Sequence, residues 1–183
     1  MRTALRVFWK SGYEATSLDQ LCAAMGLSRS SFYACFGSKH AVMMDAVRLY
    51  ADELFASLVA GVAAHADPRE AVRTVLAVIA DVDGGCHGCL FVNTVAELAP
   101  GDKELVTFAQ MHTARVGALM ASTLVRAGCT DVEASSRAGA MLAMAIGITT
   151  LRKTGVPAAQ LIPLLAQADR LLPSPSLKES RHS

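Results

Sequence analysis

One segment, Gly12 to Lys39, constrains this chain more than any other: GYEATSLDQLCAAMGLSRSSFYACFGSK. Thr16 and Ser17 are good N-caps, and Asp19 sits early enough to favour the positive end of a helix. Leu18, Leu21 and Cys22 then recur at helical spacing and give that short helix one apolar face. Met25-Gly26-Leu27 reads as a turn, because Gly26 can take the positive φ that ends one helix and redirects the chain. Ser28 caps a second helix, with Arg29, Ser30 and Ser31 on its first turn and the apolar pair Phe32 and Phe36 four apart. Upstream, Leu5, Phe8 and Trp9 form the apolar face of a supporting helix that Gly12-Tyr13 ends. Phe8, Phe32 and Phe36 read as core. The pattern predicts a compact three-helix head with its own small core, built as a helix-turn-helix. The first turn of the second helix of such a unit reaches base edges and phosphates. Short hydroxyls and an arginine can approach closely and donate there. The Tyr33 hydroxyl can donate to a phosphate, and Lys39, past the Gly37-Ser38 corner, reads as a second phosphate clamp.

At Ala4, Phe8, Gly12, Tyr13, Thr16, Ser17 and Leu18, and again at Gly26, Leu27, Ser28, Ser30, Phe32, Tyr33, Phe36, Ser38 and Lys39, the chain resembles the TetR/AcrR family of transcriptional regulators. The resemblance covers about the first fifty residues. It implies that Thr16, Arg29, Ser30, Ser31, Tyr33 and Lys39 face DNA. It also implies a homodimer on a palindromic operator, most commonly a repressor, released when a small-molecule effector enters the body. Ser30 departs from the pattern by standing where glycine is common, as does Ala34-Cys35, where a histidine often precedes the phenylalanine. Family members carry a basic arm ahead of the first helix. Here Met1 and Arg2 open directly onto it, leaving either a shortened start or weak minor-groove contacts.

Charge distribution agrees with a basic head on an acidic body. Met1 to Tyr50 holds six Lys/Arg against Glu14, Asp19 and Asp45, a balance of +3; the whole chain is +1, so the remainder is −2. The excess is modest, so affinity should need two heads acting together. Met1 to Trp9 has no apolar signal region. The longest apolar stretch, Ala138 to Leu151 between Arg137 and Arg152, is too short to span a bilayer, which needs about 20 residues. Five cysteines, an odd number, argue against a disulfide framework. A cytoplasmic protein with no membrane partner is expected.

Beyond Ser38 the pattern is helical almost throughout. A connecting helix is expected from about Ser38 to Ala64, and another from Asp67-Pro68 to near Asp83-Gly84-Gly85. Gly88 to Ala99 reads as a short helix stopped by Pro100-Gly101, and Asp102 to Ala127 as a long one. Asp131 reads as the cap of a helix reaching Thr154, and Pro157 opens a last helix ending near Leu172-Pro173. The expected architecture is all-α with about nine helices. A helix-turn-helix DNA-binding domain at 1–45 is followed by an effector-binding and dimerisation domain at 46–173. The polar, Pro/Ser-rich tail at 174–183 reads as disordered.

Within the body, three features carry chemistry. Gly139, Ala143 and Gly147 form a stripe of small residues that admits a close helix, either within the chain or across a dimer two-fold. Phe91, Asn93, Glu97, Phe108, Met111, His112, Arg115 and Met144 are the effector-pocket candidates, against the ordinary alternative that Met and Phe at helical spacing are core. Cys86-His87-Gly88-Cys89 is a C-x-x-C. It supports a redox pair, half a zinc site with His87 and a distant His112, a thiol sensor for oxidants or electrophiles, or simply a small cysteine at a tight helix start. A sensor working through Cys86 and Cys89, with or without DNA binding, is the competing function. No G-x-S-x-G, Gly-rich phosphate loop or H-E-x-x-H is present. An enzyme, a resident metal and a cofactor are therefore not expected.

Overall fold

The computed structural model describes residues 1–82 and 85–173. Asp83, Gly84 and the tail 174–183, the segment expected to be disordered, lie outside the described residues. The described residues form nine α-helices and one 3₁₀ turn, with no strand. α1 (Arg2–Ser11), α2 (Leu18–Met25) and α3 (Arg29–Phe36) make the head. α4 (Lys39–Ala63) leads out of it into α5 (Pro68–Ala80), α6 (Leu90–Leu98), α7 (Lys103–Arg126), α8 (Asp131–Lys153) and α9 (Ala158–Ala166).

Local chemistry sets these boundaries. The Ser17 hydroxyl accepts from Gln20 N–H while the Gln20 side chain accepts from Ser17 N–H, closing a capping box. Ser28, Ser38, Asp67 and Asp102 cap α3, α4, α5 and α7 with the side-chain bond alone. Gly26 ends α2 at φ 68°, in the left-handed region.

Four boundaries differ from the sequence reading, the first being α5, which ends at Ala80 rather than near Asp83 because Asp81 turns left-handed at φ 41°. The cap of α8 is Thr130, not Asp131: its hydroxyl accepts from Glu133 N–H, and Glu133 reaches back, so a complete capping box outcompetes a single aspartate. α6 begins at Leu90 because Gly88, at φ 68°, cannot belong to a right-handed helix. The last helix stops at Ala166 and passes into a 3₁₀ turn at Gln167–Leu171. Pro163 lies inside it and removes a hydrogen-bond donor.

Two apolar cores lie end to end. The lower one packs Phe8 of α1, Leu21 of α2 and Phe32 of α3 on Val42, Met43 and Val47 of α4. Leu90 and Phe91 of α6 and Leu105 of α7 complete it. The sequence reading expects a head with its own core, whereas here the body supplies part of it. The upper core joins Leu58 of α4 with α5, α7, α8 and α9 around Val72, Met120, Leu124 and Met141. α4 and α7 run through both.

Candidate DNA-binding face and its junction with the body

Phe32 is fully buried and anchors α3 to the head. With that face fixed inward, Ser28, Arg29, Ser30, Ser31 and Tyr33 are left on the solvent side of the same helix. The Ser28 hydroxyl caps the helix and lies 3.0 Å from Ser30 Oγ and 2.9 Å from Ser31 Oγ. Tyr33 packs edge-on against Phe32, with ring centroids 5.9 Å apart, and is 52% exposed. Arg29 makes a two-pronged pair with Asp19 of α2, both bonds at 2.6 Å. The Arg29 hydrogen bond holds the Asp19 carboxyl below its ordinary range. Both side chains are exposed, so the pair is screened and easily exchanged for a phosphate or a base edge.

Thr16 and Lys39 lie differently. Thr16 is buried, and its hydroxyl donates to Gly12 O at 2.6 Å. Lys39 Nζ donates to Thr16 O at 2.7 Å and sits 4.2 Å from the centre of the Tyr13 ring. Thr16 closes the turn before α2, and Lys39 ties that turn to the start of α4. Of the six residues expected at DNA, four share the exposed face of α3 and two serve the turn that holds it.

That turn is also gripped by the body. Glu97, at the end of α6, accepts from Tyr13 N–H at 3.0 Å and from Glu14 N–H at 2.8 Å. Gly12 sits at φ 79°, ψ 173°, a conformation essentially confined to glycine. A Cβ there would lie 3.1 Å from both Glu97 carboxylate oxygens. Alongside, His40 Nε2 meets Asp102 Oδ2 at 2.6 Å, and Arg48 meets Glu104 at 2.6 Å. The Asp102 carboxyl is held below its ordinary range, first by Leu105 N–H and then by His40. Trp9 Nε1 donates to Gly88 O at 3.0 Å, joining α1 to the loop before α6. His40 and Asp102 carry no sequence signal for this role, because the two lie 62 positions apart and meet only through tertiary packing.

Residues 1–47 match the family model described as "Bacterial regulatory proteins, tetR family". That match spans the three helices of the head and the first turns of α4. A relative, the uncharacterized HTH-type transcriptional regulator YezE of Bacillus subtilis (strain 168), is 27% identical over 131 residues, covering 69% of this chain and 67% of its own. The TetR-family transcriptional regulator SCO4454 of Streptomyces coelicolor shares the fold, with a TM-score of 0.85 at 19% identity over 93% of this chain and 90% of that one. A cysteine mutant of the TetR-family regulator CifR, complexed with 26-base-pair double-strand operator DNA, is 25% identical. It has a TM-score of 0.77 and covers 93% of this chain and 92% of that one.

The effector-pocket candidates fall in four places. Phe91 and His112 line a small apolar cavity of about 40 Å³ between α4, α5, α6, α7 and α8. Phe108 packs on both, its ring 6.3 Å from Phe91 and 6.1 Å from His112. Met144 is half-buried against the upper core. Asn93 and Glu97 line instead a polar cleft between α1 and α6, with Lys10, His87 and Lys153. Met111 is 66% exposed, and Arg115 pairs with Asp52 at 2.9 Å on the surface.

Gly139, Ala143 and Gly147 are all exposed on α8, with open space beside both glycines. Cys86 is exposed in the loop before α6, and Cys89 is buried at the start of that helix without a capping bond. Among the described residues no cluster of three or more His, Cys, Asp or Glu side chains could hold a metal, and no helix is long and apolar enough to cross a membrane.

Proposed function

We propose that this DNA-binding transcriptional regulator is a homodimeric, cytoplasmic repressor that holds a palindromic operator and releases it when a small-molecule effector occupies the body. The observation that carries the reading is the exposed α3 face, with Arg29, Ser30, Ser31 and Tyr33 held outward by the buried Phe32. The operator complex of CifR, which shares the fold along nearly the whole chain, supports it. The exposed small-residue stripe on α8 is the surface for the two-fold partner. Such a dimer sets two recognition helices roughly one DNA turn apart, ~34–36 Å. No catalytic role is assigned to any residue, and the reading needs neither Cys86 nor Cys89.

The experiment is operator binding by the purified protein, using DNA from around its own gene and a salt titration. Sequence-selective, salt-sensitive binding by two protomers per site is expected. Binding that is equal on unrelated DNA, or that occurs one protomer at a time, would overturn the reading.

A further inference from the structure

The effector reading leaves open what the effector is, and the cavity beside His112 narrows it. His112 is 5% exposed, on the inner side of α7. Its ring is 4.8 Å from Phe91, edge to face, and lines the cavity together with Leu58, Val116, Leu142 and Ile146. Arg115 NH2 approaches His112 Nδ1 at 3.4 Å. A guanidinium can only donate, so Nδ1 presents its lone pair and the ring proton sits on Nε2. Among the described residues Nε2 has no hydrogen-bond partner. It is thus an unpartnered N–H donor on a side chain that lines the cavity, whose other polar lining residues, Thr113 and Cys89, are uncharged. Burial, and next the Arg115 charge, push the His112 pKa down and keep the ring neutral.

Nothing in this lining compensates a charged ligand. Arg115, the nearest cation, is already paired with Asp52 and lies 4.0 Å over the Phe55 ring. An ionised group brought into the cavity would lose its water without gaining a partner. A neutral group that accepts one hydrogen bond would satisfy the open donor and bury its remaining surface against aliphatic and aromatic side chains.

We propose that the effector is a neutral, largely apolar molecule with one hydrogen-bond acceptor, such as a ring-sized ketone, and that His112 Nε2–H donates to it. This rests on the reading of the body as an effector domain. A void of about 40 Å³ holds little more than a few waters, so a ring must push its walls apart. Phe91 is the wall on α6, and the far end of the same short helix carries Glu97, which grips the head.

The test uses the full-length protein without DNA and three probes of similar size: acetophenone, cumene and benzoate. Binding is read by calorimetry and by the emission of Trp9, the chain's single tryptophan. Acetophenone is expected to bind saturably, about tenfold tighter than cumene, which lacks the acceptor, with benzoate weakest. His112→Phe should erase the acetophenone preference while cumene binding persists, and His112→Gln, which restores a donor, should recover part of it. Equal affinity for acetophenone and cumene, a preference that survives His112→Phe in a protein still folded by circular dichroism, tighter binding of benzoate, or no binding of any probe would each overturn the proposal. Operator binding without any probe is measured separately, so failure of the regulator reading and failure of the ligand assignment give different results.

Discussion

Replacing Gly12 with alanine meets two separate obstacles, and a second substitution separates them. The backbone at φ 79°, ψ 173° costs a residue with a Cβ about 2 kcal/mol. The new methyl would also stand 3.1 Å from both Glu97 oxygens, so the carboxylate must withdraw from Tyr13 N–H and Glu14 N–H. Those bonds are solvent-exposed, and about 0.5 kcal/mol each, the low end for a hydrogen bond, is the fitting value. Gly12→Ala should therefore cost about 3 kcal/mol and Glu97→Ala about 1 kcal/mol in an otherwise unaltered chain. With Gly12 already replaced the Glu97 bonds are gone, so Glu97→Ala should add almost nothing. The double-mutant cycle should show a coupling of about 1 kcal/mol. Urea unfolding midpoints at one fixed protomer concentration measure it, since dimer stability depends on concentration. If Glu97→Ala costs the same in both backgrounds, the carboxylate does not hold the turn and the junction described above is wrong.

Four further outcomes are expected. Arg29→Ala should weaken operator binding by roughly 1–3 kcal/mol and relax sequence preference; unchanged affinity and preference in a gel-shift titration would leave Arg29 as surface. Lys39→Ala should lower the melting temperature by a few degrees, through loss of its bond to Thr16 O. Its salt slope for DNA should fall by about 1 only if Nζ leaves that carbonyl for a phosphate, and an unchanged slope makes Lys39 structural. Because His112 titrates lower in the folded chain, the unfolded chain binds more protons. Stability should therefore fall as pH drops below about 6.5, and His112→Gln should flatten that dependence in unfolding midpoints between pH 7 and 5. Gly147→Leu, filling the open space on α8, should yield monomers by analytical ultracentrifugation; a persisting dimer would remove this stripe from the interface.

Much of this was legible in the chain because it is decided locally. Ser17, Ser28, Ser38, Asp67 and Asp102 cap the helices that their side chains suggest, since a cap needs only a side chain and an N–H two or three residues on. Phe32 and Gly26 were readable for the same reason. What periodicity cannot give is the identity of the opposing surface. α6 is nine residues long and has polar groups on two sides, so Asn93 and Glu97 looked equally suited to a ligand pocket. Glu97 instead takes the Tyr13 and Glu14 N–H groups just past α1, 84 and 83 positions away, and Asn93 bonds His87 O and Lys153. Lys39 looked like a free cation because nothing nearby in sequence announces that the Thr16 carbonyl points at it. Thr130 lost to Asp131 in the reading because two adjacent residues can both cap, and only the reciprocal Glu133 bond decides between them.

The lower core has a practical consequence for protein engineering. Leu90, Phe91 and Leu105 seal the underside of the three N-terminal helices. A chimera that grafts residues 1–47 onto a foreign sensor would inherit a hydrophobic floor with nothing specified to stand on. Success in such grafts should track how well the recipient reproduces those three side chains and a carboxylate opposite Gly12, rather than overall similarity between donor and recipient. Splicing after α6 and the first turns of α7, with everything upstream of them taken from one parent, would keep the floor intact. The operator-reading unit available for synthetic circuits is correspondingly larger than the segment that touches DNA.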